Sequence, residues 1–210
     1  MANISAVISD LGGVIVHVDK SRMATQLQKY SPLTATQILG EFSATSYANG
    51  VDVAFGKGLI KPEEFYEKVK EQLRLQGLNF QQFKRIYSDI FSRNEQVISL
   101  LRALSKKYKV GLLSNTDPIH FKAVQQLLGK DMEIFGNRLS LSFEIGSAKP
   151  EPEIWLRSVG ALNVQVQQCA YIDDVPAYVK AASKLGLYGI YYASYPQLVA
   201  DFRKAGITVP

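Results

Sequence analysis

The chain has little cysteine and no long hydrophobic run. Its 210 residues include a single cysteine, Cys169, which excludes an intramolecular disulfide framework and favours a reducing, cytoplasmic compartment. No apolar stretch approaches the roughly 20 residues that span a membrane, and the N-terminus lacks the features of a signal peptide. We therefore expect no membrane partner, and we interpret Cys169 as a small core residue.

The chain also has only a modest excess of positive over negative charge. The net charge is +5, and the lysines and arginines are dispersed along the chain, which argues against a nucleic-acid partner but suits small anionic substrates. With 47% hydrophobic and 20% charged residues, the composition is typical of a globular protein. The length allows one sizeable core and one small subdomain.

Apolar runs of strand length alternate with amphipathic helical segments. Strands are predicted at residues 4–9, 110–113, 139–143, 170–172 and 189–192. Helices are predicted behind Asn94, behind Asp117-Pro118 and across residues 153–159. The nearly continuous apolar character of the strands indicates a parallel sheet that is covered on both faces. We therefore predict an α/β fold with a doubly wound, Rossmann-like sheet.

One long segment interrupts this alternation. Across residues 20–92 helical periodicity recurs, and no strand is predicted there. A period of four is present at Phe65, Val69 and Leu73, and one of three to four at Phe80, Phe83, Tyr87 and Ile90. Asn79 is the expected cap of the second of these helices. We predict a small helical bundle at 20–92, inserted after the first strand into a core made of residues 1–19 and 93–210.

Polar residues stand at the predicted strand ends. They are Asp10 after the first strand, Ser114 and Asn115 after the strand at 110–113, and Asp173 and Asp174 after that at 170–172, while Lys149 lies in the loop before a helix. The carboxyl ends of parallel strands meet at the same edge of a sheet. We therefore expect three carboxylates, a hydroxyl and an ammonium group in one crevice. A carboxylate buried there without a partner would cost several kcal/mol or more, so each should have a partner or a bound ion.

Such a cluster suits phosphoryl transfer. Carboxylates repel one another unless a cation lies among them, and Mg²⁺ is bound by one or two carboxylates together with water and phosphate oxygens. Asp10 could then attack phosphorus as a nucleophile and form an aspartyl-phosphate. Ser114 would bind the non-transferring oxygens, and Lys149 would neutralise charge on the nucleophile and the transferring group.

Four ordered motifs carry a family resemblance. They are Asp-Leu-Gly-Gly-Val at 10–14, Leu-Ser-Asn-Thr at 113–116, Ala-Lys-Pro-Glu-Pro-Glu-Ile at 148–154 and Tyr-Ile-Asp-Asp at 171–174. In order and spacing they resemble the four motifs of the haloacid dehalogenase-like (HAD) hydrolase superfamily, and the helical insert resembles its small cap of the first type. The Asp-Leu-Gly-Gly start and the Ser-Asn-Thr-x-x-x-His run are similar to the branch that includes bacterial glucose-1-phosphate phosphatases.

The resemblance implies a Mg²⁺-dependent phosphatase of a small phosphorylated metabolite, such as a sugar phosphate. It implies Asp10 as nucleophile and Lys149 as charge stabiliser. The implied phosphate or substrate contacts are Ser114, Asn115, Gly12, Gly13 and His120. The implied metal ligands are Asp10, the carbonyl group of Gly12 and Asp174, with Asp173 beside the ion or behind its ligands.

The sequence departs from the family pattern at two positions. Gly12 stands where most phosphatases of the superfamily have an Asp that protonates the leaving group and later activates water. Tyr178 stands where the family usually has an Asp or Asn that orients the surroundings of the metal. His120 and His17 are candidates to replace the missing acid, and each has a surface or packing role as its alternative.

Three other functions fit parts of the pattern. A phosphoacceptor signalling domain has its paired acids after the first strand, whereas here the pair comes last. A haloacid dehalogenase uses an Asp nucleophile without Mg²⁺, so the pair at 173 and 174 would only add repulsion. A catalytically impaired binding or regulatory relative is the main alternative, because of Gly12 and Tyr178. No pattern predicts an oligomeric state.

Overall fold

A computed structural model describes residues 3–42 and 50–209. The strands are β1 Ala6–Ser9, β2 Val16–Val18, β3 Phe91–Arg93, β4 Lys109–Ser114, β5 Leu139–Leu141, β6 Cys169–Asp173 and β7 Tyr188–Tyr191. The helices are α1 Lys20–Leu27, α2 Ala35–Glu41, α3 Val51–Gly56, α4 Pro62–Gln72, α5 Phe80–Ser88, α6 Glu95–Leu104, α7 Pro118–Leu128, α8 Ser142–Ile145, α9 Pro152–Leu162, α10 Pro176–Lys184 and α11 Tyr195–Lys204. No helix among these residues is both long and apolar enough to cross a membrane.

The five-stranded sheet is parallel throughout. Its order is β5-β4-β1-β6-β7, and β1 pairs with both β4 and β6. The chain winds from β1 outward to β4 and β5, and then returns to the other side for β6 and β7. The winding therefore reverses beside β1, which is the point where open α/β sheets bind ligands. The predicted doubly wound α/β fold is confirmed.

Helices cover both faces of the sheet. All four residues of β1 are buried, and successive strand side chains point to opposite faces. Val7 accordingly packs in one apolar cluster with residues of α6, α7 and α11, whereas Ile8 packs in another with residues of α9 and α10. Cover on both faces explains why these strands are apolar at every position rather than at alternate ones.

A further apolar cluster lies among helices α1 to α5. Its fully buried members include Met23, Leu27, Ile38, Phe55, Phe65, Val69 and Phe83. The predicted cap Asn79 begins α5 with a capping box, in which its side chain accepts from Gln82 N. Ile119 of α7 joins the same cluster, so these helices pack against the sheet-bearing part of the chain. The predicted division at 19/20 and 92/93 stays a prediction.

Two short strands differ from expectation. Residues 91–93 form β3, which pairs antiparallel with β2, so the prediction of no strand within 20–92 was wrong at its end. Three-residue strands are too short to show alternation, and their pairing depends on distant residues. The strand predicted at 139–143 ends at Leu141, and Ser142 begins the short helix α8.

One predicted helix cap also differs. Asn94 occupies the N-cap of α6 but makes no capping hydrogen bond with its side chain. Its amide nitrogen donates instead to the carbonyl oxygen of Val14 at 2.8 Å and to Tyr192 Oη at 2.9 Å. The cap predicted at Asp117 is confirmed, because its carboxylate accepts from the backbone N–H groups of Ile119 and His120.

Candidate active site

An ion-paired cluster lies at the carboxyl ends of the three central strands. Asp10 follows β1, Asp173 ends β6, and Lys149 enters from the loop before α9. Lys149 Nζ lies 2.8 Å from Asp10 Oδ1 and 2.8 Å from Asp173 Oδ2. All three side chains are buried, so residues from three distant parts of the sequence meet out of water.

The cluster holds more negative than positive charge. One oxygen each from Asp10, Asp173 and Asp174 lies within 4.8 Å of the others, and a single ammonium group faces them. Burial raises the pKa of Asp10 to about 7, against the attraction of Lys149. Burial, and then repulsion by Asp173, raises the pKa of Asp174. A hard divalent cation would relieve this repulsion, and carboxylate oxygens are the ligands it prefers; the residues therefore fit Mg²⁺.

The ammonium group stays charged in this surrounding. Burial by itself would lower the pKa of Lys149, but the attraction of Asp10 and Asp173 outweighs burial, and the pKa is raised. The ring of Tyr178 lies beneath the ammonium group, 5.0 Å from Nζ to the ring centroid. The position where the family usually has a carboxylate or amide is therefore filled by an aromatic contact to the lysine.

Asp173 is fully occupied by contacts within the protein. Its Oδ2 accepts from Lys149 Nζ and from Tyr171 Oη, and its Oδ1 accepts from the backbone N–H of Val175 at 2.8 Å. Asp174 is only half-buried and is the more accessible of the pair. The sequence motif includes Tyr171 but did not predict its contact with Asp173. The available signal was its place two residues before Asp173, which puts both on one face of β6.

The glycine pair after Asp10 has a steric cause at one position. Gly13 has φ +76, and a Cβ there would overlap the Asp174 carboxylate. A Cβ on Gly12 would only contact Val18 Cγ2, at 3.3 Å. Gly13 thus allows the turn to approach Asp174, whereas Gly12 leaves the place of the family's second Asp without a carboxylate.

Ser114 and Asn115 both line the neighbouring cavity, but Asn115 has structural partners. Its Nδ2 donates to the carbonyl oxygen of Lys149 at 3.0 Å, and the Lys149 N–H donates to its Oδ1 at 2.8 Å. Both ends of the amide therefore hold the loop that carries Lys149. Ser114 is buried at the end of β4.

A cavity of about 570 Å³ adjoins the cluster. Gly12, Ser114 and Lys149 line it on the sheet side, and residues of α1, α3 and α5 line the opposite side. This volume lies within the range of about 300–1,000 Å³ that is usual for small-molecule sites. The α1 to α5 helices thus contribute one wall of the space in front of the cluster.

The two histidines lie in different surroundings. His120 lines the cavity, with Nδ1 2.6 Å from Asp117 Oδ2 and Nε2 3.0 Å from the carbonyl oxygen of Tyr87. Its ring stacks on Tyr87 at 4.0 Å between centroids. These contacts tie α7 to α5 and occupy both ring nitrogens. His17 is exposed on β2 and is not among the described residues that line the cavity.

Comparison with known proteins gives consistent matches. The sequence model of the haloacid dehalogenase-like hydrolase family matches residues 4–186. A D-ribitol-5-phosphate phosphatase of Bacteroides thetaiotaomicron is 24% identical, with 96% of each chain covered. A phosphorylated carbohydrates phosphatase of Thermotoga maritima is 28% identical over 51% of this chain and 50% of its own length. A HAD family enzyme of Bacteroides thetaiotaomicron has a similar crystal structure, solved in complex with magnesium and inorganic phosphate. Its sequence is 28% identical and the TM-score is 0.78, with 90% of this chain and 93% of that chain covered.

Proposed function

The chain belongs to the haloacid dehalogenase-like hydrolase family and is a phosphatase of small phosphorylated molecules; on this basis we propose that it hydrolyses a sugar phosphate or similar metabolite through Asp10, with Mg²⁺ as cofactor. The observation that carries the proposal is the meeting of Asp10, Lys149 and the pair Asp173-Asp174 beside a cavity. The names of two relatives, which act on ribitol phosphate and on phosphorylated carbohydrates, support this substrate class.

The residues perform the reaction in two displacements. A carboxylate oxygen of Asp10 attacks phosphorus, the bond from phosphorus to the leaving-group oxygen breaks, and an aspartyl-phosphate forms. Water then attacks that phosphorus, which releases inorganic phosphate and restores Asp10. The Lys149 ammonium group and the Ser114 hydroxyl hold the non-transferring oxygens while negative charge develops on them.

Asp10, Asp174 and the carbonyl group of Gly12 would hold the metal ion. When bound, Mg²⁺ would offset the charge of the carboxylates and of the phosphate oxygens as the transition state forms. Asp173 positions Lys149 and is itself fixed by Tyr171 and Val175. Helices α1 to α5 act as a cap that limits access of water to the site.

Departure of the leaving group has less assistance than in most of the family. Gly12 offers no proton donor, and general acid–base assistance is worth about 10²- to 10⁴-fold. His120 has both ring nitrogens engaged by Asp117 and Tyr87. The preferred substrates are therefore esters whose leaving group departs readily without protonation, such as a sugar 1-phosphate.

A panel of phosphomonoesters tests the proposal. Wild type, Asp10→Asn and the matched surface variant Glu63→Gln, whose side chain is exposed on α4, are assayed with Mg²⁺ and with a chelator. We expect turnover that is lost with chelator and in Asp10→Asn but kept in Glu63→Gln. Tight binding of phosphate esters without turnover would contradict the proposal and favour a binding or regulatory protein.

A further inference from the structure

An acidic side chain lies on the wall of the cavity that α1, α3 and α5 form. Asp52, in α3, is half-buried and lines the cavity. Within residues 3–42 and 50–209, no donor makes a hydrogen bond to its carboxylate. Its oxygens are not among the buried, unpartnered side-chain atoms of the described residues, so water reaches them, and a ligand in the cavity could supply a donor in place of that water.

The charges around Asp52 are balanced. Lys20 and His120 attract its carboxylate, and Asp117 repels it. Lys57, which also lines the cavity, is ion-paired with Glu151. Among the residues that the structure describes, this end of the cavity therefore offers no surplus cation for a second phosphate or a carboxylate of the ligand.

Asp52 remains an acceptor at neutral pH. Burial raises its pKa to about 6, with Lys20 opposing and Asp117 adding to the rise, so most of the group is ionised above pH 7. An ionised carboxylate only accepts hydrogen bonds, and hydroxyl groups are the uncharged donors that suit it.

We propose that Asp52 binds the hydroxyl groups of a neutral, polyhydroxylated leaving group and so determines which phosphate esters the site accepts. This inference rests on the proposed function, because it assigns the leaving-group end of the same cavity. An apolar leaving group would desolvate Asp52 without giving it a donor, and an anionic one would bring a like charge to Asp52 where the nearby charges of Lys20, His120 and Asp117 already balance. Each would be discriminated against.

The role concerns binding rather than bond cleavage. Asp52 lies in α3, on the other side of the cavity from the strand ends and from Lys149. Asp52 is therefore away from the nucleophile, and its loss is expected to change KM for hydroxylated substrates more than kcat.

The test compares substrates of different leaving-group chemistry. Glucitol 6-phosphate, phenyl phosphate and fructose 1,6-bisphosphate are assayed with wild type, Asp52→Asn, Asp52→Ala and the control Glu63→Gln. In wild type we expect KM to be lowest for glucitol 6-phosphate, whereas kcat follows the leaving group and is highest for phenyl phosphate. Because a hydrogen bond to a charged group contributes about 1.5–3 kcal/mol, KM for glucitol 6-phosphate should rise about 10- to 100-fold in both Asp52 variants, with kcat within about threefold.

The pattern across substrates decides the outcome. A raised KM for glucitol 6-phosphate with an unchanged KM for phenyl phosphate in the Asp52 variants supports the proposal. An equal rise in KM for these two substrates, or no rise for either, overturns it. A wild-type preference for the bisphosphate also overturns it. Circular dichroism spectra establish that each variant is folded.

A binding measurement separates this inference from the proposed function. If wild type hydrolyses neither these three esters nor any ester of the wider phosphomonoester panel, the proposed function fails, and NMR titration with free glucitol then tests the subsite. Weaker glucitol binding in Asp52→Asn than in wild type and Glu63→Gln supports the subsite. Equal binding, or no binding to wild type, overturns it.

Discussion

Lys149 is the residue on which the arrangement of the acidic cluster depends. Its ammonium group is the shared partner of Asp10 and Asp173, and Tyr171 and Asn115 hold the two sides of this contact. A buried ion pair contributes little when compared with a well-packed apolar pair, but loss of one partner leaves the other charge uncompensated. The same contacts thus serve catalysis and stability.

Substitution Lys149→Met should abolish turnover and lower the free energy of unfolding by about 3–5 kcal/mol without Mg²⁺. Urea denaturation followed by fluorescence measures this loss, with the exposed Lys122→Met as control. Added Mg²⁺ should restore part of the stability, because a cation among the carboxylates replaces the missing charge. A Lys149→Met protein as stable as the control would contradict this account of the cluster.

Asp52 should make the folded protein less stable at neutral pH. Its pKa rises from 3.8 to about 6 on folding, so the folded state binds the proton more tightly, and the contribution of this group to stability falls as pH rises from about 4 to 6. Asp52→Asn should therefore raise the free energy of unfolding at pH 7.5 by roughly 1–3 kcal/mol and give no such gain below pH 4. Denaturation at the two pH values measures this; a loss of stability at pH 7.5 would refute it.

At the scale of elements, the turn between β1 and β2 brings the backbone close to the metal-binding acids. Gly13 has a positive φ and lies where a side chain would overlap Asp174, whereas a Cβ on Gly12 would make a tight contact of 3.3 Å with the side-chain atom Val18 Cγ2. The two adjacent glycines of the motif therefore have different structural roles. Gly13 is required because the backbone passes close to Asp174, whereas Gly12 leaves space beside the leaving group.

Gly13→Ala should displace Asp174 and reduce kcat/KM by about 10²-fold, the usual consequence of moving a catalytic group by about 1 Å. Gly12→Ala is the matched comparison and should lose less, since its Cβ would press on the side chain of Val18, at 3.3 Å, and not on the carboxylate of Asp174. Steady-state kinetics at several Mg²⁺ concentrations measure both, and the Gly13 variant should need more Mg²⁺. Equal losses in the two variants would show that the overlap with Asp174 is not the cause.

The contact between α5 and α7 assigns His120 a packing role. His120→Gln should destabilise the protein by about 1–2 kcal/mol through the lost contacts with Asp117 and Tyr87, while kcat changes by less than tenfold. Thermal denaturation and steady-state kinetics are measured on the same preparations. A loss of more than 10³-fold in kcat at unchanged stability would make His120 a catalytic residue instead.

At the scale of the whole molecule, the α1 to α5 helices meet the sheet-bearing part on both sides of the cavity. On one side His120 stacks on Tyr87, and on the other Lys57 pairs with Glu151 next to Gly58. A Cβ on Gly58, where φ is +69, would overlap the carbonyl oxygen of Phe143. The close seating of the α3 end on the core thus requires a glycine.

Gly58→Ala should raise KM for all substrates about tenfold or more, because the added Cβ lifts the α3 end away from Phe143. Gly77→Ala is the control, since Gly77 has almost the same φ, +68, but no atom within 4 Å of the added Cβ. Gly77→Ala should lose about 1 kcal/mol from the left-handed backbone, and Gly58→Ala should lose more because of the overlap with Phe143; urea denaturation measures both. A similar rise in KM for Gly77→Ala would show that strain, and not displacement, causes the effect.

The sequence by itself determined the location of the five strands of the parallel sheet, the order of the four motifs and the residue types of the acidic cluster. These are local properties: the apolar runs specify buried parallel strands, and Asp117 and Asn79 begin their helices through side chains a few residues away. The doubly wound sheet also followed from the alternation of strands and helices, because right-handed crossovers leave few other topologies.

Only the tertiary structure decided which partner each polar side chain has. The contacts of Tyr171 with Asp173, of Asn115 with Lys149 and of His120 with Tyr87, and the place of Asp52 in the cavity, join residues of different elements. The short ribbon of β2 and β3 has the same origin. Hydrogen bonds and ion pairs act over a few ångströms in space, and distance along the chain does not specify them.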